Sequence, residues 1–282
     1  MKHLCAVALA LIATMDTTPV FTQGSPEQSA KTNEGRTTED AVDPVTRCAI
    51  GRFRQCDIKL AVARGLFETG LKPIFPENAT CRSIDDWYAM DYTSRRPREA
   101  YHGGIDIPAP RGTPMIAVAA GTVVAQYLGE DSARGIEVVL RHSPEDTGIP
   151  LWIYTQYGHF SEMPALKMGQ RVRLGERLGS TGNTGISPLT GAQSRRRRPA
   201  IHLGVFYSTS ELYADIRDTI IPVNGHWMDP VALFRKKLPL DSASMKALPE
   251  AEKQIPISIM LDDGKAVPAD TKIVWPYTCT RR

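Results

Sequence analysis

Two short stretches carry residue types that can do chemistry together. The first, Tyr101-His102-Gly103-Gly104-Ile105-Asp106-Ile107-Pro108, sets a histidine and an aspartate four apart with glycines between them. The second, Pro199-Ala200-Ile201-His202-Leu203-Gly204-Val205, puts a histidine inside an apolar run that reads as a strand. Neutral imidazole and carboxylate together suit zinc, and three protein ligands with one open position is the catalytic form of such a site. The spacing alone is weak, because His-x-x-x-Asp recurs by chance. The plain alternative for His202 is a strand histidine hydrogen-bonded within a sheet.

The elements that must position these residues are short strands broken by glycine. Pro114–Val118 and Thr122–Tyr127 flank Ala119-Ala120-Gly121. Gly135–Arg141 and Leu151–Gln156 follow, joined by a turn containing Pro and Asp, and then a glycine-rich hairpin runs from Gln170 to Gly179. Many short strands with closely spaced turns predict a mainly β fold, an antiparallel β-sandwich or open barrel. Before it, one helix is predicted over Asp57–Thr69, capped by Asp57 and ended by Gly70. Thr17–Val45 reads as a flexible linker, rich in Thr, Ser, Pro, Gly and charge. Ser187–Arg198 reads as a solvated polar loop whose four arginines, Arg195 to Arg198, could also attract anionic polymers or lipid head groups. The tail from Lys236 reads as polar, with a hairpin about Asp262-Asp263-Gly264.

With 282 residues, 42% of them hydrophobic, the chain can build one good core plus extensions. A net charge of +3 is too mild to argue for a nucleic-acid partner. Met1-Lys2-His3 followed by the uncharged apolar run Leu4–Met15 fits a secretory signal and is too short to span a bilayer comfortably. Removing it removes Cys5 and leaves Cys48, Cys56, Cys81 and Cys279, an even set suited to an oxidising compartment. The expected location is periplasmic or secreted, with no membrane-spanning segment. Three cysteines lie between positions 48 and 81, so in any full pairing Cys279 joins the N-terminal segment. The connectivity stays open.

Residues 99–236 resemble the lysostaphin-type (LytM-like) zinc metallopeptidases, which cut peptide bonds in bacterial peptidoglycan. His102-Gly103-Gly104-Ile105-Asp106 resembles the family's His-x-Gly-x-Asp ligand motif. Tyr157-Gly158-His159 resembles its Tyr-x-His motif, and Gly169–Gly185 its glycine-rich hairpin before the last ligand. The departure lies at the final His-x-His, where only His202 is present. Read as the first histidine, His202 would leave Gly204 in the ligand position. Read as the second, it keeps the ligand and leaves Ala200 where the family has a histidine. Pro199 and Val205 fit the family pattern only in the second register, which is adopted here.

The resemblance then implies zinc held by His102, Asp106 and His202, with His159 as a catalytic histidine and its usual partner replaced by Ala200. It implies an exported zinc metalloendopeptidase-like protein hydrolysing peptide bonds of peptidoglycan. The alternative is a degenerate, non-catalytic LytM-like domain that binds cell wall or activates a cell-wall amidase. His142 matches a family position not used in catalysis and is read as structural. His226, or an arginine of the preceding loop, is the candidate to fill the gap at Ala200. The expected organisation is a signal peptide and start of linker (1–25), a linker and disulfide-stapled N-terminal extension with a short helix (26–98), the peptidase-like domain (99–236) and a C-terminal tail (237–282).

Overall fold

The computed structural model describes residues 34–84, 102–187, 190–193 and 197–282. The expected signal peptide, most of the linker, Arg195 and Arg196 lie outside them. No helix among the described residues is long and apolar enough to cross a membrane.

Among its described residues the N-terminal extension contains two α-helices. Helix α1 (Pro44–Gly51) is capped by Asp43, whose side chain accepts from Thr46 N, with proline at the first helical position. Helix α2 (Ile58–Ala63) is capped by Asp57, which accepts from Lys59 N. The sequence reading extended α2 to Thr69 and missed α1. The chain leaves α2 early because Gly65 takes φ +97° and Arg64 O accepts Trp227 N, turning the segment onto the main sheet. The linker reading is corrected for residues 34–45: Val42 is buried, and Arg36 bridges to Tyr213. Strands β1 (Lys72–Ile74) and β2 (Ala79–Thr80) complete the extension.

The peptidase-like part opens with β3 (Ile105–Pro108), β4 (Pro114–Ile116), β5 (Gly121–Tyr127) and β6 (Glu137–His142). It continues through β7 (Trp152–Gly158), β8 (Arg171–Val172), β9 (Arg177–Ser180) and β10 (Ala200–Ser208). It closes with β11 (Tyr213–Asp215), β12 (Ile220–Pro222) and β13 (His226–Trp227). The main sheet has seven strands in the order β13-β10-β7-β6-β5-β8, with β3 also on β10, all antiparallel. Every residue of β6 is buried, so this strand is covered on both faces, as its Val138-Val139-Leu140 run suggests. The fold is mainly β, as the sequence predicts.

The tail is less polar than it reads. Strands β14 (Gln254–Pro256), β15 (Ile259–Leu261), β16 (Ala266–Val267) and β17 (Thr278–Arg281) carry it, and β15 and β16 form the expected hairpin. Ile255, Ile257, Ile273, Trp275 and Tyr277 are buried in the common core. Strand β14 runs parallel to β1, and β17 pairs with both β15 and β2. Extension and tail thus share sheets, and Cys81–Cys279 joins them covalently, while Cys48–Cys56 closes α1 onto the loop before α2.

Candidate functional site

One register brings the chemistry together. Strand β10 uses one edge for β7 and divides the other, its first half pairing with β3 and its second with β13. In that register Asp106 on β3 stands opposite His202 on β10, and His202 stands opposite Gly158, the last residue of β7. Residues directly opposite in a sheet point to the same face, so Asp106 and His202 meet. His102 precedes β3. Its carbonyl lies 3.4 Å from the Arg52 guanidinium of the N-terminal extension, and Gly103 beside it takes φ +80°.

Three ligand-type atoms converge there. His202 Nδ1 lies 3.1 Å from His102 Nε2 and 3.0 Å from Asp106 Oδ1, and the third edge, His102 Nε2 to Asp106 Oδ1, is 3.2 Å. All three residues are buried. Burial alone would raise the Asp106 pKa, but the adjacent His102 and His202 outweigh it and hold the carboxyl well below the usual range. Burial pushes the His202 imidazole down to about 3, so it is neutral at ordinary pH. Two imidazole nitrogens and a carboxylate oxygen, all ligand-type atoms, crowd together at this point. A tetrahedral ion with bonds of about 2.0–2.1 Å sets ligand–ligand edges of about 3.3 Å, close to the triangle found here. The residues fit zinc in type and in spacing.

Close packing keeps His202 in place. A Cβ on Gly104 would lie 2.6 Å from His202 Cε1 and 2.8 Å from its Nε2, so only glycine lets the ring lie against that backbone. His202 Nε2 is buried with no hydrogen-bond partner among the described residues.

His159 follows β7 with a positive φ of 64°, a strained conformation for a non-glycine residue. Its ring centroid is 5.9 Å from that of His202. Two backbone bonds hold the strain, His159 N to Arg134 O and Gly182 N to His159 O, both 2.8 Å. Nδ1 donates to Thr184 O at 2.8 Å, which leaves Nε2 as the nitrogen with the lone pair. Burial pushes this imidazole down to about 4.

Comparison with known proteins bears on this cluster. The sequence model of Peptidase family M23 matches residues 100–213. This stretch is similar to the M23 domain. The chain is 43% identical over 88 residues to an uncharacterized metalloprotease of Haemophilus influenzae, covering 30% of this chain and 16% of that protein. It is 37% identical over 82 residues to the uncharacterized lipoprotein YgeR of Escherichia coli, covering 29% of each. It thus spans less than a third of either curated relative. Among solved structures, a mutant catalytic domain of the prophage-encoded M23 protein EnpA from Enterococcus faecalis is 28% identical, with a TM-score of 0.32, covering 48% of this chain and 85% of that one. The catalytic domain of lysostaphin from Staphylococcus simulans is 24% identical, with a TM-score of 0.31, covering 40% and 73%.

Within the matched stretch the structure brings His102, Asp106 and His202 together, with His159 beside them. Gly204 lies two residues further along β10, against Gly103 O and the Gln156 side chain. Ala200 is buried, opposite Pro108, and its N–H reaches Gly182 O at 3.2 Å. His226 does not fill the gap at Ala200. It stacks on Tyr207 at 5.4 Å, and its Nδ1 donates to Asn224 O, at the other end of β10. His142 is structural, its Nδ1 donating to Ala120 O and its Nε2 lying 2.7 Å from Thr155 Oγ1.

An arginine of the preceding loop does come in. Arg197 donates from Nη1 to Ala133 O at 2.8 Å and Thr184 O at 2.9 Å, and from Nη2 to Ile186 O at 3.1 Å. The same Nη1 lies 3.0 Å from His159 Nδ1. The solvated-loop reading is therefore corrected for Arg197, which ties two loops behind His159. Four arginines in a row conceal which one turns inward. Tyr277, too, reaches this region from the tail: its hydroxyl lies 2.7 Å from Thr181 Oγ1, next to Gly182. Nothing in a tail segment read as polar marks it.

Proposed function

We propose that this chain is an exported zinc metalloendopeptidase-like protein that hydrolyses peptide bonds of peptidoglycan. The observation that carries the reading is the convergence of His102 Nε2, Asp106 Oδ1 and His202 Nδ1 on one buried point of the stretch that matches M23. These three residues are the proposed zinc ligands, and His159 the proposed catalytic residue. Bound there, zinc supplies Lewis acidity, polarising a scissile carbonyl and acidifying a water. His159, neutral and tied through Nδ1, keeps Nε2 free to take a proton from attacking water and return it to the leaving amine. Two disulfides support an oxidising, periplasmic or secreted location. The divisions 1–25, 26–98, 99–236 and 237–282 stand as the proposed organisation, with a signal peptide first.

One observation favours a second reading. Ala200 can neither donate nor accept a proton through its side chain, and removing a single such donor commonly costs about a hundred- to thousandfold in rate. The alternative is a non-catalytic domain that binds cell wall or activates a cell-wall amidase. Metal analysis tests the shared premise. Purified protein is expected to hold about one zinc per chain, lost in Asp106→Ala and His202→Ala and kept in His226→Ala. Stoichiometric zinc in His202→Ala would overturn the site. Mass spectrometry of digested wall fragments then separates enzyme from binder: new peptide termini support the first, and intact wall with retained binding supports the second.

A further inference from the structure

The C-terminal part of the chain, with Pro76 of the extension, lines an open cavity of about 520 Å³ that shares no lining residue with the His102–Asp106–His202 cluster. Its apolar wall includes Phe234, Ile255 and Pro268. Around it stand three basic side chains, Arg235, Lys236 and Lys237, and one acid, Glu252. Arg235 is engaged by Pro239 O at 3.3 Å and Met245 Sδ at 3.4 Å, and Lys237 is exposed. Lys236 is therefore the charged group built into the cavity wall.

Lys236 follows the turn Ala232–Arg235 with φ 59°, a left-handed backbone that a long side chain seldom adopts. Its ammonium donates to Ser258 Oγ and, at 2.8 Å, to Thr271 Oγ1. Ser258 and Thr271 are both buried. Thr271 gives its own proton to Ile273 O at 2.8 Å, so toward the lysine it can only accept. An ammonium has three N–H donors, and two of them are spent here on neutral hydroxyls. Asp270 acts on Lys236 across space, and among the described residues no carboxylate forms an ion pair with it. Burial also lowers the lysine's pKa. A partly desolvated cation with a spare donor and no ion-pair partner, beside an apolar cavity, is a state that an arriving anion stabilises.

We propose that this cavity binds a carboxylate-bearing ligand with a small apolar body, of the class of a short peptide with a free C-terminus. The carboxylate accepts the third Lys236 N–H, and the body lies against Phe234, Ile255 and Pro268. A monoanion suits the site better than a phosphate dianion, because one lysine is its built-in donor and Glu252 stands at the same cavity. This site is independent of the metal-cluster reading, and its test uses binding alone.

The probe is N-acetyl-alanyl-alanine, titrated into the full chain by calorimetry or NMR beside its neutral C-terminal amide and inorganic phosphate. The acid is expected to bind in the millimolar range, at least about tenfold more tightly than the amide, a difference of about 1.4 kcal/mol. Lys236→Gln should weaken the acid about tenfold and leave the amide unchanged. Should that variant fold poorly, Lys236→Gly removes the ammonium while tolerating the positive φ. Equal binding of acid and amide, undiminished binding in Lys236→Gly, or no binding of the acid at concentrations that saturate a millimolar site would each overturn the proposal. Phosphate binding more tightly than the acid would do so as well.

Discussion

Under the proposed function, Ala200 is the residue on which activity turns. Side chains two apart on a strand share a face, so residue 200 projects beside His202 from the start of β10. No histidine replaces it among the described residues: His226 is committed to Tyr207 and Asn224, and Arg197 lies behind His159, bonded to carbonyls. A donor restored at this position would act on charge developing at the scissile carbonyl. Ala200→His is therefore expected to raise peptidoglycan cleavage, by as much as about a hundredfold where the ring is well placed. His159→Ala should remove the activity that remains. A parent as fast as its Ala200→His variant, measured by release of labelled wall fragments, would show that position 200 has no part in the chemistry. The residues of the cluster were legible in the sequence because their motifs are local. The loop before β10 was legible as a source of an arginine, but which of the four turns in was not, and Tyr277 was not, because tertiary packing alone brings each to the site.

At the scale of elements, the site depends on strand register, and the register has a buried histidine beside it. His142 ends β6 and connects three segments: Ala120 O just before β5, its own strand, and Thr155 on β7. Thr155 Oγ1 lies 3.3 Å from the Tyr157 hydroxyl, which accepts Val118 N–H at 2.9 Å. Nδ1 of His142 donates to Ala120 O, and Thr155 Oγ1 donates to the Tyr157 hydroxyl. The imidazole is buried within this network. Burial pushes its pKa down to about 4 from 6.5. Because the folded value is depressed, the contribution is fully present above 6.5 and is lost as pH falls toward 4. A gap of that size corresponds to about 3 kcal/mol. Chemical denaturation should show His142→Gln losing about 3 kcal/mol less than the parent between neutral pH and pH values below about 4. Parallel pH profiles for the two proteins would rule this out. The strands themselves were readable, since β-branched runs between glycines leave few alternatives. Helix α2 was overextended because its end is set by the docking of Arg64 and Gly65 against Trp227, and no local pattern records that contact.

At the scale of the whole molecule, the stretch that matches M23 packs between the described parts of its flanking segments. Trp275 Nε1 donates to Arg82 O at 2.7 Å, Val274 N to Val118 O at 2.8 Å, and Ile116 N to Pro276 O at 3.0 Å, so the tail is bonded both to the extension and to the domain. The sequence required Cys279 to meet the N-terminal segment, and the structure selects Cys81. The two disulfides close loops of very different size, with sequence separations of 198 and 8. Chain entropy gives the long one about 5 kcal/mol and the short one about half of that, less any strain. Paired substitution avoids leaving a free thiol in either case. The double variant Cys81→Ser, Cys279→Ser should therefore lower the denaturation free energy by clearly more than Cys48→Ser, Cys56→Ser does. It should also loosen Tyr277, two residues from Cys279, and with it the bond to Thr181 beside Gly182. Hydrogen exchange at Thr181 and Gly182 is accordingly expected to speed up in the first double variant and not in the second. If the two pairs cost the same and exchange at Thr181 is unchanged, the tail would be an appendage, and the link from Cys81–Cys279 to the site would not exist.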